Sequence, residues 1–133
     1  MKSVAELRIQ IFADGANLGE IANLTTNPLI QGFTTNPTLR RQAGVDDYAG
    51  FAKDMLALVG DRPVSVEVFA DDFDDMQRQA MEIASWGDNV FVKIPITNTK
   101  GEASAPLVER LTGEGFIVNV TAIMTIDQVR DTA

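Results

Sequence analysis

The residues that could do chemistry stand inside otherwise apolar runs. Asn89-Val90-Phe91-Val92-Lys93-Ile94-Pro95-Ile96 is β-branched and aromatic, bounded by Gly87-Asp88 and Thr97-Asn98. This pattern predicts a short strand buried on both faces. A lysine there is out of place, because burying an isolated ammonium is costly and the site tends to neutralise it. A neutral lysine amine is a nucleophile towards carbonyls. The competing reading is a strand-end lysine whose stem packs while its head reaches water. Glu67, inside Val64-Ser65-Val66-Glu67-Val68-Phe69, is a second misplaced charge. Asp14 before Gly15, Thr35 and Asn36 before Pro37, and Asn119 and Thr121 among valines complete the set. Each has a structural explanation when taken singly. Asp14-Gly15 and Asn36-Pro37 read as turns or caps, and Asn119 and Thr121 as strand filler.

Taken together, one lysine, two carboxylates, two amides and two hydroxyls suit Schiff-base chemistry on a carbonyl substrate. Lys93 would add to a ketone and form a carbinolamine, then an iminium. The iminium is an electron sink that lets an adjacent C–C bond break or form. One carboxylate would move protons to and from substrate hydroxyls, and the second would activate water or the carbinolamine. The amides would hold hydroxyl groups.

The elements that must position these groups follow from periodicity. Strands are predicted at 8–13, 30–35, 64–70, 90–94 and 116–122, each β-branched or alternating. Helices are predicted at 16–24, 48–59, 71–86, 103–114 and 126–132, with Pro37 in the first turn of another. Thr125 is the expected N-cap of the last helix. Strict β-α alternation means a parallel sheet with helical crossovers. Every candidate residue then falls at or near the carboxyl end of a strand, where reactive groups gather in such sheets. No G-x-G-x-x-G or Walker motif opens a helix, which disfavours nucleotide-binding open sheets. A (β/α)₈ TIM-type barrel needs roughly 250 residues. The 133 residues therefore read as one domain holding about the first five β/α units of such a barrel. Thr25-Thr26-Asn27-Pro28 recurs as Thr34-Thr35-Asn36-Pro37, and the first copy reads as a loop coincidence. Arg40 and Arg41 read as solvated helix charges.

Composition narrows the class. A net charge of −8 argues against nucleic acid as a partner. The chain has no cysteine and no histidine, so neither a disulfide framework nor a transition-metal site is expected. Met1 to Glu6 lacks a signal-peptide core, and no apolar run nears the ~18 residues of a membrane span. A cytoplasmic protein without cofactor or metal is expected.

Phe12-Ala13-Asp14-Gly15-Ala16-Asn17, Gly32-Phe33-Thr34-Thr35-Asn36-Pro37-Thr38-Leu39, Val66-Glu67-Val68, Val92-Lys93-Ile94-Pro95-Ile96-Thr97 and Gly115-Phe116-Ile117-Val118-Asn119-Val120-Thr121-Ala122 resemble the transaldolase family, in its short-chain branch that includes fructose-6-phosphate aldolase. The match runs from about residue 9 to the end. The resemblance implies a (β/α)₈ barrel that transfers a dihydroxyacetone unit between sugar phosphates in the pentose phosphate pathway. It implies Lys93 as the Schiff-base lysine, Asp14 as acid/base, Glu67 as the carboxylate working through a water, and Thr121 as the group positioning that water. Asn36 and Asn119 match residues that bind substrate hydroxyls, with Thr35 beside them. The aldolase branch resembles this pattern with Gln at position 67 and Tyr at position 124, where this chain has Glu67 and Met124, which favours transaldolase. The last three β/α units, with the family's phosphate-binding Arg and Ser, would lie beyond residue 133. Three readings follow: transaldolase, a fructose-6-phosphate aldolase-type lyase, and an inert half-barrel that self-associates. A homo-oligomer is the expected assembly.

Overall fold

Valine at alternate positions of the strands builds the sheet, and caps at the helix starts set the crossovers. The structure, a computed structural model, describes residues 3–133. Met1 and Lys2 of the N-terminal signal-peptide reading lie outside the described residues. Five parallel strands stand side by side in chain order: β1 (Phe12–Asp14), β2 (Gly32–Thr35), β3 (Val64–Glu67), β4 (Val90–Pro95) and β5 (Val118–Thr121). Between them run α1 (Leu18–Leu24), α2 (Pro37–Gln42), α3 (Tyr48–Val59), α4 (Phe73–Ala84) and α5 (Ala105–Gly113), and α6 (Ile126–Thr132) follows β5. An order without a switch point is that of a barrel wall and not of a doubly wound sheet. The chain is an α/β arc of the TIM-barrel type.

Side chains of Asn17, Asn36, Asp47, Asp72 and Thr125 accept from first-turn N–H groups of α1, α2, α3, α4 and α6. Each such cap stabilises by about 1 kcal/mol. Val64, Val66, Val92 and Ile94 are fully buried on the helix-facing side of the sheet, in one core with Met55, Met76 and Leu111. Burial of a side chain of this size contributes about 1.5–3 kcal/mol. Truncating Met55 to alanine would cost about 2–5 kcal/mol.

The opposite, inner face carries the alternate residues. Its amino-terminal floor is aromatic, with the Phe12 and Phe91 rings 6.5 Å apart. Gly32 is required beside them, because a Cβ there would sit 2.6 Å from the Phe12 ring. Above the floor the register aligns Asp14 with Thr34 and Thr34 with Ser65. The next level aligns Glu67, Lys93 and Asn119, and Pro95 aligns with Thr121 above it.

Several boundaries differ from the periodicity. β1 begins at Phe12 and not at Arg8, because β2 offers it no partner before Gln31, whose N–H meets the Ile11 carbonyl. β3 ends at Glu67 and not at Ala70, because the N–H groups of Phe69 and Ala70 both turn to the Gln79 side chain. Asp72 caps α4, so that helix starts at Phe73 and not at Asp71. Thr25-Thr26-Asn27-Pro28 forms the turn after α1. No helix among the described residues is long and apolar enough to cross a membrane.

Candidate active site

Lys93 and Glu67 are cross-strand partners, and strand alternation aims both at the inner face. Lys93 Nζ lies 3.5 Å from Glu67 Oε2, with the two side chains 11% and 20% exposed. Burial pushes the Glu67 carboxyl above its ordinary range. The Lys93 ammonium pulls it back without cancelling the shift, and the Asp14 carboxylate adds to the rise. A carboxyl so placed holds a proton more readily than a solvated one.

The pair opens into a cavity of about 770 Å³ at the carboxyl ends of the strands. Asn36 and Thr121 line the same cavity. Asn36 is also the cap of α2: its Oδ1 accepts from the Leu39 N–H at 2.9 Å. Capping and facing the cavity are compatible, because the cap occupies only the amide oxygen. Thr121 ends β5 and is followed by Ala122 at φ 60°, a left-handed residue that turns the chain out of the sheet. The far rim is strapped by Asp71, whose carboxylate accepts from the N–H and the hydroxyl of Thr99, both at 2.7 Å. Those two donors hold Asp71 below the ordinary carboxylate range.

Asn119 and Asp14 share the inner face but do not line this cavity. Asn119 stands next to Lys93 in register and faces a second cavity of about 380 Å³ with Phe12 and Phe91. Asp14 is exposed and accepts from the Thr34 hydroxyl at 2.6 Å.

A lysine paired with a carboxylate, and a second carboxylate on the same inner face, leave the chemistry open, and the comparison with known proteins narrows it. The family model described as Transaldolase/Fructose-6-phosphate aldolase matches residues 11–133. The chain belongs to this family. Among curated relatives, a "Probable transaldolase" of Dehalococcoides mccartyi is 38% identical over 120 residues, covering 90% of this chain and 54% of that protein. A "Probable transaldolase" of Novosphingobium aromaticivorans is 40% identical over 120 residues, covering 90% of this chain and 52% of that protein. A "Probable transaldolase 2" of Listeria monocytogenes is 38% identical, with 90% and 52% covered. The chain spans about half the length of the curated relatives it matches.

In this transaldolase-family chain, Thr35 is not brought to the site. It lies on the helix-facing side, beside Val66, with 0% exposure and a hydroxyl that finds no partner among the described residues. Its neighbour Thr34 occupies the inner face instead. The pair Thr-Thr does not reveal which member points inward; only the register with Asp14 does.

Arg40 also departs from its expected role as a solvated charge. Its guanidinium donates to the Val45 and Asp46 carbonyls and lies 5.2 Å from the Tyr48 ring centroid. Arg41 is exposed and, unlike a charge directed only to bulk solvent, lines the rim cavity with Asn36 and Glu67. Sequence reasoning missed Tyr48, whose hydroxyl donates to the Glu67 carbonyl at 3.2 Å and so braces the end of β3. Burial raises the Tyr48 phenol well above its ordinary range, which keeps it a donor. Ser65 was legible as a polar residue among valines, but nothing in the sequence linked it to Asn119, 54 residues away.

Proposed function

We propose that this chain carries the Schiff-base part of a transaldolase-type site, which moves a dihydroxyacetone unit between sugar phosphates. The observation supporting the reading is the Lys93–Glu67 pair, 3.5 Å apart on the inner face beneath the rim cavity. The Lys93 amine adds to the ketone carbon of the donor. The ketone oxygen departs as water after protonation, and an iminium remains. Asp14 takes the proton of the hydroxyl on the carbon to be cleaved. The C–C bond then breaks, an aldose phosphate leaves, and the electron pair rests in the enamine. Attack of that enamine on an acceptor aldehyde forms the new bond, Asp14 returns its proton to the new alkoxide oxygen, and hydrolysis of the re-formed iminium frees Lys93. Glu67 carries the carbinolamine protons through a water held by the Thr121 hydroxyl, while Asn36 and Asn119 receive sugar hydroxyls. The proposed role is that of a cytoplasmic, cofactor-free enzyme of the pentose phosphate pathway, and membership of the family supports this reading.

Acceptor dependence tests the reading. Incubation with fructose 6-phosphate and a four-carbon aldose phosphate should give a seven-carbon ketose phosphate, with little free dihydroxyacetone when the acceptor is omitted. Release of dihydroxyacetone without an acceptor would instead favour the aldolase-type reading. No turnover of either kind would contradict both.

β1 and β5 are the edges of the described sheet, and an open edge is a surface on which another strand can pair. We propose a homo-oligomer as the assembly. Light scattering that returns a monomer mass would contradict it.

A further inference from the structure

Ser65 and Asn119 belong to strands that are not neighbours, yet Asn119 Nδ2 lies 2.9 Å from Ser65 Oγ. The contact crosses the inner face of β4. It passes next to the Lys93–Glu67 pair, because Asn119 is the cross-strand partner of Lys93 and Ser65 precedes Glu67 by two residues on the same face. Ser65 is 0% exposed, so its hydroxyl cannot turn to solvent. A buried hydroxyl without a partner is costly, and the Asn119 amide supplies that partner.

Resting on the Schiff-base reading, we propose that Ser65 is a positioning residue that acts through Asn119. Its oxygen accepts from Asn119 Nδ2. The planar amide then keeps its carbonyl oxygen away from Ser65, in the smaller cavity that Asn119 lines with Phe12 and Phe91, directly beside Lys93 in register. There it accepts from a hydroxyl of a polyhydroxylated ketose bound at Lys93. Without Ser65, the broad amide torsion lets either end of the group face the ligand. The tether therefore selects a hydroxyl donor on the substrate at that point.

The test uses the full chain with fructose 6-phosphate, and reads borohydride trapping at Lys93 as a function of sugar concentration. Ser65→Ala should raise the half-saturating concentration roughly three- to tenfold, the range of one net hydrogen bond. The limiting trapping rate should stay within about twofold, as for a loss of binding alone. Ser65→Ala combined with Asn119→Ala should be no worse than Asn119→Ala by itself, since a residue acting through another adds nothing once that other is gone. In ¹⁵N-labelled protein, Ser65→Ala should also shift the Asn119 side-chain amide resonances. An unchanged half-saturating concentration, additive effects in the double variant, or unmoved Asn119 resonances with a lowered melting temperature would each overturn the proposal. If the parent chain forms no adduct at all, the Schiff-base reading fails and takes this proposal with it. That result is distinct from a parent that is trapped normally while Ser65→Ala behaves identically.

Discussion

The Thr34 hydroxyl donates to Asp14 Oδ1 at 2.6 Å, across the first strand pair of the sheet. Asp14 is exposed, so without this contact its carboxylate would sample several rotamers. The bond holds one carboxylate oxygen on the inner face. Thr35, one residue on, is the converse: a fully buried hydroxyl with no hydrogen-bond partner among the described residues.

The two threonines should therefore respond in opposite ways to the same substitution. Thr34→Val should slow C–C cleavage about tenfold while leaving Lys93 trapping intact, and should cost ~0.5–1 kcal/mol of stability. Thr35→Val should leave cleavage unchanged and hold or raise stability by up to ~1 kcal/mol, because an unpaired buried hydroxyl is removed. Single-turnover kinetics and urea unfolding on both variants check the contrast. Equal loss of activity in the two would contradict the facing assigned to them.

Glu67 makes stability depend on pH in a stated direction. Its folded-state carboxyl lies above the ordinary value of 4.5. Between that value and the raised one, the folded chain binds more protons than the unfolded chain. The contribution is fully present below the unfolded value and is lost as pH rises through the folded one. Glu67→Gln removes the titration. The stability of Glu67→Gln relative to the parent should therefore grow as pH rises above the ordinary value of 4.5 in urea unfolding. A difference that is flat or shrinks with pH would count against a raised Glu67.

Arg40 and Arg41 are adjacent, but only Arg40 is built into the fold. Arg40→Ala loses the donors to the Val45 and Asp46 carbonyls and the contact over Tyr48, and should cost about 1–3 kcal/mol. Arg41→Ala should stay within about 0.5 kcal/mol. Comparable losses in thermal or urea unfolding would show that Arg40 is no more structural than its neighbour.

Ala122 sits at φ 60° directly after Thr121. A left-handed alanine costs ~1–2 kcal/mol, part of which glycine returns to the unfolded chain as extra freedom. Ala122→Gly should therefore stabilise by ~0.5–1 kcal/mol, measured as a small rise in melting temperature. A fall would mean that the rim turn depends on the methyl group.

Legibility in the sequence followed what periodicity can carry. The five strands and the helices between them were readable because buried valines and apolar helix stripes recur at fixed spacing. Lys93 and Glu67 were readable because a charge among valines has few explanations. Asn36 was ambiguous between cap and site, and it caps α2 while lining the cavity. What failed to show was anything set by register or by contact across the sheet. Choosing Thr34 over Thr35 needs the β1–β2 alignment, and the Ser65–Asn119 bond needs β3 and β5 brought to either side of β4. Arg40 looked like a surface charge because its partners are two loop carbonyls and a ring eight residues on. The ends of β1 and β3 were overextended because residues such as Val68 and Phe69 have strand propensity, while their hydrogen-bonding partners decide otherwise.

The central claim is that Lys93 forms the covalent intermediate. The most direct measurement is borohydride reduction in the presence of fructose 6-phosphate, followed by peptide mapping by mass spectrometry. A stable adduct should map to Lys93 and vanish in Lys93→Met. An adduct on Lys53 or Lys100 instead, or one that persists in Lys93→Met, would contradict the account.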